Sequence, residues 1–348
     1  MSNTKYIVKA QGAPLEAAQC AVPADLSPTD VLVCVKAVAV NPADCKMIDH
    51  GHRGMSYPLV AGLDGAGTVE AVGSQVTGFQ VGDDVLALFA AGDRGGSYQR
   101  YAIVDQSKVA KKGNLPFEEA ASVGVCYFTA VMGLGIGLGT CLPFVRDGPA
   151  EGSQPSSVLV LGGSSALGAA TIQLLRVALP RCKVLTTASP KHHAHVTQHL
   201  GAHAAFDRSS PSLVADIRAF RSSDDDDDDD DDQGGVEAII DTVGAGASQQ
   251  GIFQALAPDG MRRYAQVWTG DEEIRAPEGV NSVLFRSRDF GKIQGGDNIM
   301  AGLQSLLEEG RFKVPLPVRV VGAQLQGLRD GLDLMRNGVS GEKLVVTL

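Results

Sequence analysis

The sequence predicts an α/β fold with a doubly wound parallel sheet and a second, β-rich domain. Its 348 residues exceed what one hydrophobic core usually supports. Short apolar runs separated by Gly, Pro and Asp fill the first third, and strand and helix patterns alternate from Val158 onward. We assign residues 1–125 and 290–348 to the β-rich domain and residues 126–289 to the doubly wound domain.

The β-rich assignment depends on three apolar runs bounded by turn residues, at 31–40, 67–73 and 81–88. Each has the length and the residue types of a short strand. Since no stripe of helical period competes with them, we expect this part of the chain to contain strands and loops.

The doubly wound assignment depends on a repeated order of strand and helix. Strands are predicted at 158–163, 183–188, 204–206, 236–241 and 262–267, and helices at 166–179, 191–200, 211–220 and 248–256. Repeated units of this kind form a parallel sheet with helices on both faces. Helices at 298–309 and 325–337 follow, and we expect the closing strand at 343–348 to return to the first domain.

The uncharged stretch at 122–145 is the one segment that resembles a membrane span. Glycine occupies every second position from Gly133 to Gly139, which argues against a continuous spanning helix, so we expect a buried helix that leads into a glycine-rich loop. The six cysteines form no C-x-x-C pair and the first residues lack an apolar signal core. A cytoplasmic protein is therefore expected.

The net charge of -10 comes mostly from one run of nine aspartates, Asp224–Asp232. The rest of the chain carries 30 basic and 31 acidic side chains, so no basic surface for nucleic acid is indicated. Adjacent carboxylates repel one another and bury nothing, and we expect the run to be a solvated, flexible loop without a chemical role.

The strongest local motif is a glycine-rich turn between a strand and a helix. In this geometry backbone N–H groups at the start of the helix face a pyrophosphate, and glycine allows the sharp turn and the close packing of helix on strand. The serines of the turn add hydroxyl groups for phosphate. The predicted cofactor-binding residues are Gly162, Gly163, Ser164, Ser165, Ala166, Leu167 and Gly168.

The end of the second strand favours NADPH over NADH. NAD sites have an Asp or Glu there, about 20 residues beyond the glycines, that binds the ribose hydroxyls. This chain has Ser189 and Lys191 instead. A hydroxyl and an ammonium group bind a 2′-phosphate, whereas a carboxylate would repel it, so both residues are assigned to the cofactor.

These motifs, in their order along the chain, resemble the medium-chain dehydrogenase/reductase superfamily. The resemblance rests on NPADCK at 41–46, YPLVAGLDGAGTVEAVGSQVTGFQVGDDV at 57–85, GGSYQRYAIV at 95–104, GGSSALGAATIQLL at 162–175 and SGEKLVV at 340–346. It implies a GroES-like catalytic domain and a Rossmann domain. The NPxD form, TASPK and the SGEKLVV ending are most similar to fungal stand-alone enoyl reductases that work beside polyketide synthases, and more loosely to quinone oxidoreductases.

The resemblance also implies a site without zinc. Zinc-dependent members hold their metal with a cysteine and a histidine, and the matching positions here are Asn41 and Leu63, which are not zinc ligands. By resemblance to enoyl reductases, Lys46 is the candidate proton donor, Asn41 and Asp44 shape the pocket and Thr129 lies near the nicotinamide. Lesser candidates are Tyr57, Tyr98 and Tyr127.

Without a metal, reduction of a carbon–carbon double bond conjugated to a carbonyl fits better than alcohol oxidation, because hydrogen-bond donors can stabilise the charge on the carbonyl oxygen. The expected function is an NADPH-dependent enoyl reductase that acts on an acyl chain held by a polyketide synthase carrier domain. Two alternatives stay open. One is a quinone or enone reductase with a free substrate, and the other is a redox-silent NADPH-binding protein or a cyclase on the same scaffold.

Overall fold

A computed structural model describes residues 2–51, 54–145, 153–220, 234–270 and 273–348. The chain divides into two compact units, and the first comprises Met1–Phe128 and Asp297–Leu348 while the second comprises Thr129–Gly296. The sequence-based boundaries, 125/126 and 289/290, lie a few residues before these breaks. The aspartate run Asp224–Asp232 lies outside the described residues, so its expected loop conformation stays a prediction.

The first unit is built mainly from strands, as the sequence predicts. Three of them form a small sheet in the order β2-β1-β4: β1 (Ser2–Val8), β2 (Leu15–Ala21) and β4 (Leu59–Val60). A larger sheet is formed by β3 (Asp30–Ala39), β5 (Asp64–Val72), β6 (Asp84–Leu88), β7 (Tyr101–Asp105), β8 (Val109–Lys111), β15 (Val318–Ala323) and β16 (Lys343–Thr347). Its strand order is β15-β16-β3-β5-β6-β8, and β7 pairs with β3. The closing strand β16 pairs antiparallel with β3, which confirms the expected return of the chain.

A helix that the sequence analysis missed lies in this unit. Helix α1 (Pro42–His50) follows β3 directly and buries Asp44, Cys45, Met47 and Ile48. At nine residues it is too short to show an extended apolar stripe, and a carboxylate occupies one of its buried positions. The signal that could have revealed it is the capping pattern, with Asn41 at the N-cap, proline next and Asp44 at the third helical position.

Three further α-helices lie wholly within the described part of the first unit: α2 (Phe117–Ala120), α6 (Ile299–Glu308) and α7 (Gln324–Asn337). The core joins apolar side chains of both sheets, α1 and α7, among them Val33, Met47, Val85 and Leu328. Polar side chains buried in this unit are therefore held inside an apolar shell, where unpaired groups are costly.

The second unit contains a six-stranded parallel sheet in the order β11-β10-β9-β12-β13-β14. The strands are β9 (Ser157–Leu161), β10 (Lys183–Ala188), β11 (Ala204–Asp207), β12 (Ala238–Asp241), β13 (Arg263–Val267) and β14 (Asn281–Phe285). Counted from β9, this is the order 3-2-1-4-5-6 of the Rossmann fold. The direction of winding changes between β9 and β12, and ligands bind at the carboxyl ends of the strands at such a switch point.

The helices of the second unit are less regular than the sequence predicts. Helices α4 (Ala166–Ala178) and α5 (Leu213–Ala219) match expectation closely. The helix predicted at 191–200 is instead a 3-10 turn, Pro190–His192, followed by a π-helical turn, His195–His199, and the helix predicted at 248–256 is a 3-10 helix, Gln250–Ala255. Sequence periodicity reports which residues face the core, and it does not distinguish these helical forms when the segment is short.

The expected glycine-rich loop after 132 is wrong. Helix α3 (Gly124–Met132) continues as a π-helical segment, Gly133–Leu138, and ends at Gly139 with φ 69°. A Cβ at Gly133 would lie 2.8 Å from Cδ1 of Ile240, so glycine permits this segment to pack directly on the sheet. The helical stretch Phe117–Leu138 is long and apolar enough to cross a membrane, yet 83% of its most apolar window is buried inside the protein, as in a core helix.

Candidate functional site

The glycine turn joins β9 to α4 at the switch point of the parallel sheet. Gly162 has a φ of 81°, a conformation that favours glycine. A Cβ at Gly163 would lie 2.1 Å from Oγ1 of Thr186, and one at Gly168 would lie 2.2 Å from the carbonyl oxygen of Gly162. The backbone of the turn therefore packs too closely on its neighbours for any side chain at these three positions.

The start of α4 leaves two backbone donors for a ligand. Ser165 is the N-cap, its hydroxyl oxygen accepts the N–H of Gly168 at 3.0 Å, and its own N–H donates to the carbonyl of Gly162 at 2.8 Å. Of the first four N–H groups, those of Ala166 and Leu167 are then without an intrahelical acceptor. Two such donors at the positive end of a helix fit an anion such as pyrophosphate.

The hydroxyl of Ser165 is committed to the protein, in contrast to its predicted role as a phosphate ligand. Thr242 donates its hydroxyl proton to the carbonyl of Leu161 at 2.6 Å, so the 3.2 Å hydrogen bond between Ser165 and Thr242 has Ser165 as its donor. The serine oxygen also accepts the N–H of Gly168. Of the two serines in the turn, Ser164, which is half-buried, is the one whose hydroxyl remains assigned to phosphate.

Residues at the end of β12 and directly after it support the turn, and the sequence analysis missed them. The buried carboxylate of Asp241 accepts the N–H groups of Val243 at 3.1 Å, Ala245 at 3.0 Å and Gly246 at 2.8 Å, together with the hydroxyl of Tyr264 at 2.7 Å. These bonds fix the loop that carries Thr242. The available signal was the pair Asp241-Thr242 directly after an apolar strand, at the edge where parallel sheets bind ligands.

Two basic side chains, Lys191 and Arg208, follow β10 and β11, and the carboxylate of Asp207 ends β11. Ser189 follows β10 and is half-buried, and Lys191 is exposed in the next turn. Arg208, which the sequence analysis did not name, follows β11 and its N–H lies 3.4 Å from the carbonyl of Ala188. Burial and the neighbouring charges of Lys191, His195, Arg208 and His193 hold the pKa of His192 below its usual value. Burial would disfavour any charged group here, whereas the charges of Lys191 and Arg208 disfavour a further cation and attract an anion such as a 2′-phosphate.

A buried polar cluster occupies the first unit. The carboxamide nitrogen of Asn41 donates to Asp64 Oδ2 at 3.0 Å, and the ammonium group of Lys343 donates to Asn41 Oδ1 and lies 3.3 Å from Asp64 Oδ2. Asp44 accepts the backbone N–H of Asn41 at 2.8 Å and the hydroxyl of Tyr98 at 3.2 Å. All five side chains are less than a tenth exposed. Lys343 was not a candidate in the sequence analysis, although it lies within the SGEKLVV motif.

The cluster has two carboxylates and one ammonium group, and the pKa of one carboxylate, Asp44, is raised within it. Burial raises the pKa of Asp44 to about 6, the hydrogen bond from Asn41 opposes that rise, and the charge of Asp64 adds to it. Oδ1 of Asp44 is buried without a hydrogen-bond partner. Asp44 therefore titrates closer to neutral pH than an ordinary aspartate does, since its pKa is about 6.

The other predicted catalytic residues do not join this cluster. Lys46 is half-buried on α1, two residues after Asp44, and two residues correspond to about 200° of helical rotation. It thus lies on a different face of the helix from Asp44. Thr129 is 8% exposed on α3 and belongs to the second unit.

The three tyrosine hydroxyls that were lesser candidates are each used within the protein. Tyr57 donates to the carbonyl of Met47, Tyr127 to the carbonyl of Ile299 and Tyr98 to Asp44. Burial raises the pKa of Tyr98 and of Tyr127 well above the usual value, so neither is a ready source of a proton.

The residues at the zinc positions do not fit a zinc ion. Leu63 is buried and apolar, and the carboxamide of Asn41 is engaged by Asp64 and Lys343. Within the described part of the chain, no group of three or more His, Cys, Asp or Glu side chains is arranged to hold a metal. At these two positions Leu63 thus offers no ligand atom, and the Asn41 carboxamide is used in hydrogen bonds to a carboxylate and an ammonium group.

Comparison with known proteins gives consistent matches over nearly the whole chain. Residues 27–114 match the alcohol dehydrogenase GroES-like domain. The trans-enoyl reductase caaB of Aspergillus niger is 34% identical, over 93% of this chain and 91% of that protein. The enoyl reductase component lovC of the lovastatin nonaketide synthase of Aspergillus terreus is 33% identical, over 94% and 92%.

Solved structures share the fold. A NAD-dependent alcohol dehydrogenase superposes with a TM-score of 0.75 at 24% identity, and the CurK enoyl reductase superposes with a TM-score of 0.74 at 19% identity, each over 99% of both chains. At these identities the structural matches establish the architecture, which confirms the predicted combination of a Rossmann sheet and a GroES-like domain.

Proposed function

The chain belongs to the medium-chain dehydrogenase/reductase superfamily, close to the fungal trans-enoyl reductases, and from this premise we propose that it is an NADPH-dependent, zinc-independent enoyl reductase. The substrate in this proposal is an α,β-unsaturated thioester held on the carrier domain of a partner polyketide synthase. The observation that carries it is the 33–34% identity, over more than nine-tenths of the chain, to proteins named as enoyl reductases.

The glycine turn supports the assignment of a nicotinamide cofactor. Its three glycines leave room for backbone and nothing larger, and the N–H groups of Ala166 and Leu167 provide donors for the pyrophosphate. The positive charge of Lys191 and Arg208 supports the choice of NADPH, because a 2′-phosphate gains from it and the ribose hydroxyls of NADH do not.

The polar cluster supports reduction of a conjugated double bond. When bound, NADPH supplies a hydride to the carbon β to the substrate carbonyl. Negative charge then collects on the carbonyl oxygen, and the carboxamide of Asn41 is our candidate donor to that oxygen in place of a metal. Lys46 is the candidate donor of the proton that the α carbon takes up, and Thr129 the candidate neighbour of the nicotinamide.

The deciding experiment is single-turnover reduction with NADPH, followed by mass spectrometry of the product. Three acceptors are compared: an enoyl chain on a carrier domain, the same chain as a minimal thioester, and small enones and quinones. We expect the carrier-bound chain to react fastest, because binding of the carrier and of the distant chain helps to position the reacting carbon.

The other outcomes separate the alternatives. Equal rates on carrier-bound chains and free enones would favour a general enone or quinone reductase. Tight NADPH binding without reduction of any acceptor would favour the redox-silent or cyclase alternative.

The role of Lys46 is tested by Lys46→Ala, which should lower turnover more than it weakens NADPH binding. Lys9→Ala is the matched control, since Lys9 is an exposed lysine of the same unit whose ion pair with Glu16 is solvated. If Lys46→Ala and Lys9→Ala have the same turnover, Lys46 is not the proton donor.

A further inference from the structure

The ammonium group of Lys343 is buried between a carboxylate and a carboxamide. Lys343 begins β16 and is 5% exposed, and its nitrogen contacts Oδ2 of Asp64 and Oδ1 of Asn41. The backbone reinforces this arrangement, because the N–H of Val40 donates to the carbonyl of Leu344 at 3.0 Å. A cation in this position is retained only with good partners, since desolvation strongly disfavours it.

These partners allow one orientation of the Asn41 carboxamide. An ammonium group can only donate, so Lys343 takes the amide oxygen, and an ionised carboxylate can only accept, so Asp64 takes the amide nitrogen. A flip of the carboxamide would place N–H groups against the ammonium and oxygen against the carboxylate. Both hydrogen bonds would be lost and both contacts would become repulsive.

The rest of the cluster holds these groups in place. The main chain of Asn41 is fixed by its N–H bond to Asp44. Oδ1 of Asp64 accepts the N–H of Val125 at 2.6 Å, so this carboxylate cannot follow a moving amide. Asn41 is thus held at its backbone, its amide oxygen and its amide nitrogen, and the second N–H of that nitrogen is the donor that these contacts leave over.

We propose that Lys343 is a positioning residue for the reduction: its ammonium fixes the Asn41 carboxamide so that the second Nδ2–H is held ready for the substrate carbonyl oxygen. The positive charge of Lys343, transmitted through the polarised amide, also favours negative charge at that oxygen. This inference rests on the proposed function. In this arrangement, a chain that has Asn41 at the metal-binding position has a buried cation, the ammonium group of Lys343, and an oriented donor, the Asn41 amide, at the same place.

The test must separate this role from a purely structural one, in which Lys343 only joins β16 to α1 and β5. Lys343→Met leaves the carboxylate of Asp64 buried without its cation. This variant is therefore less stable whether the role of Lys343 is positioning or only structural. Lys343→Met combined with Asp64→Asn removes both charges, and we expect its unfolding temperature to recover towards that of the wild type. The carboxamide that this second substitution introduces offers both a donor and an acceptor, so the orientation of Asn41 is no longer enforced.

The double variant is the decisive protein. If Lys343 positions Asn41, kcat for the carrier-bound thioester stays at least about tenfold below the wild type, since loss of an oxyanion donor itself costs about 100- to 1000-fold. Its dissociation constant for NADPH stays within about twofold, because the glycine turn belongs to the other compact unit. A double variant that recovers both the unfolding temperature and wild-type kcat would overturn the proposal.

Lys343→Arg gives a second test if the double variant does not fold. Arginine keeps the charge and can donate only, so this variant should retain clearly more kcat per folded molecule than Lys343→Met. Equal kcat for the two would overturn the role of Lys343. A wild-type protein that reduces no acceptor at all would refute the proposed function and this role with it. If the wild type is active, the kcat values of the variants test the role of Lys343 alone.

Discussion

Gly168→Ala should weaken the binding of NADPH, and the size of the effect can be worked out from the geometry of the glycine turn. In Gly168→Ala, the new Cβ would lie 2.2 Å from the carbonyl oxygen and 2.8 Å from the carbonyl carbon of Gly162, and 3.0 Å from Cα of Gly163. All three atoms belong to the backbone, so no side-chain rotation relieves the overlap. The start of α4 must move away from the turn by about 1 Å to reach an ordinary contact.

This movement displaces the N–H groups of Ala166 and Leu167 from their positions. Overpacking of this kind costs about 1–3 kcal/mol. If the cost falls on the cofactor-bound state, NADPH binds roughly 5- to 150-fold more weakly, since about 1.4 kcal/mol corresponds to a tenfold change in affinity. Turnover at saturating NADPH should change much less.

The assay is a fluorescence titration that follows energy transfer from Trp268, the single tryptophan of the chain, to bound NADPH. Gly251→Ala is the matched control, because Gly251 is exposed and a Cβ there meets no atom within 4 Å. The control should bind NADPH within about twofold of the wild type. If Gly168→Ala binds as tightly as the control, with an unchanged unfolding temperature, the turn is not the pyrophosphate site.

Four further predictions concern the cofactor, the metal and the aspartate run. Lys191→Ala should weaken NADPH at least about tenfold and leave NADH unchanged, because one charge-assisted contact supplies that difference, and an equal loss for both would contradict the NADPH assignment. Thr242→Val should weaken NADPH about 2- to 10-fold, whereas the control Thr242→Ser, which retains the hydroxyl, should keep wild-type affinity in the same titration. Elemental analysis should find no stoichiometric zinc, activity should survive a chelator, and one metal per chain would refute this. Replacing Asp224–Asp232 with a short Gly/Ser linker should change neither affinity nor turnover, and a large drop in either would reveal a role for the run.

Local sequence signals predict much of the second unit. The strand at Val158, the turn and helix α4 agree with the structure within a residue or two, because an apolar strand, a glycine turn and an apolar helix are each specified by neighbouring residues. Helix α1 was not predicted, although its capping residues can be recognised in the sequence. Its nine residues include a buried carboxylate, so they show little of the apolar periodicity by which helices are predicted. The loop predicted from Gly133 to Leu142 is wrong over Gly133–Leu138, because glycine only disfavours helices, and packing against the sheet overrides that preference.

The sequence by itself determined the fold class, the place of the glycine turn between β9 and α4, and the absence of zinc ligands at Asn41 and Leu63. Only the tertiary structure decided which polar groups meet. Lys343 reaches Asn41 across 302 positions of the chain, and Thr242 meets Ser165 across 77. Such pairs depend on which strands are neighbours in each sheet. The pairing of β16 with β3, or of β12 with β9, cannot be read from the spacing of residues that are adjacent in sequence.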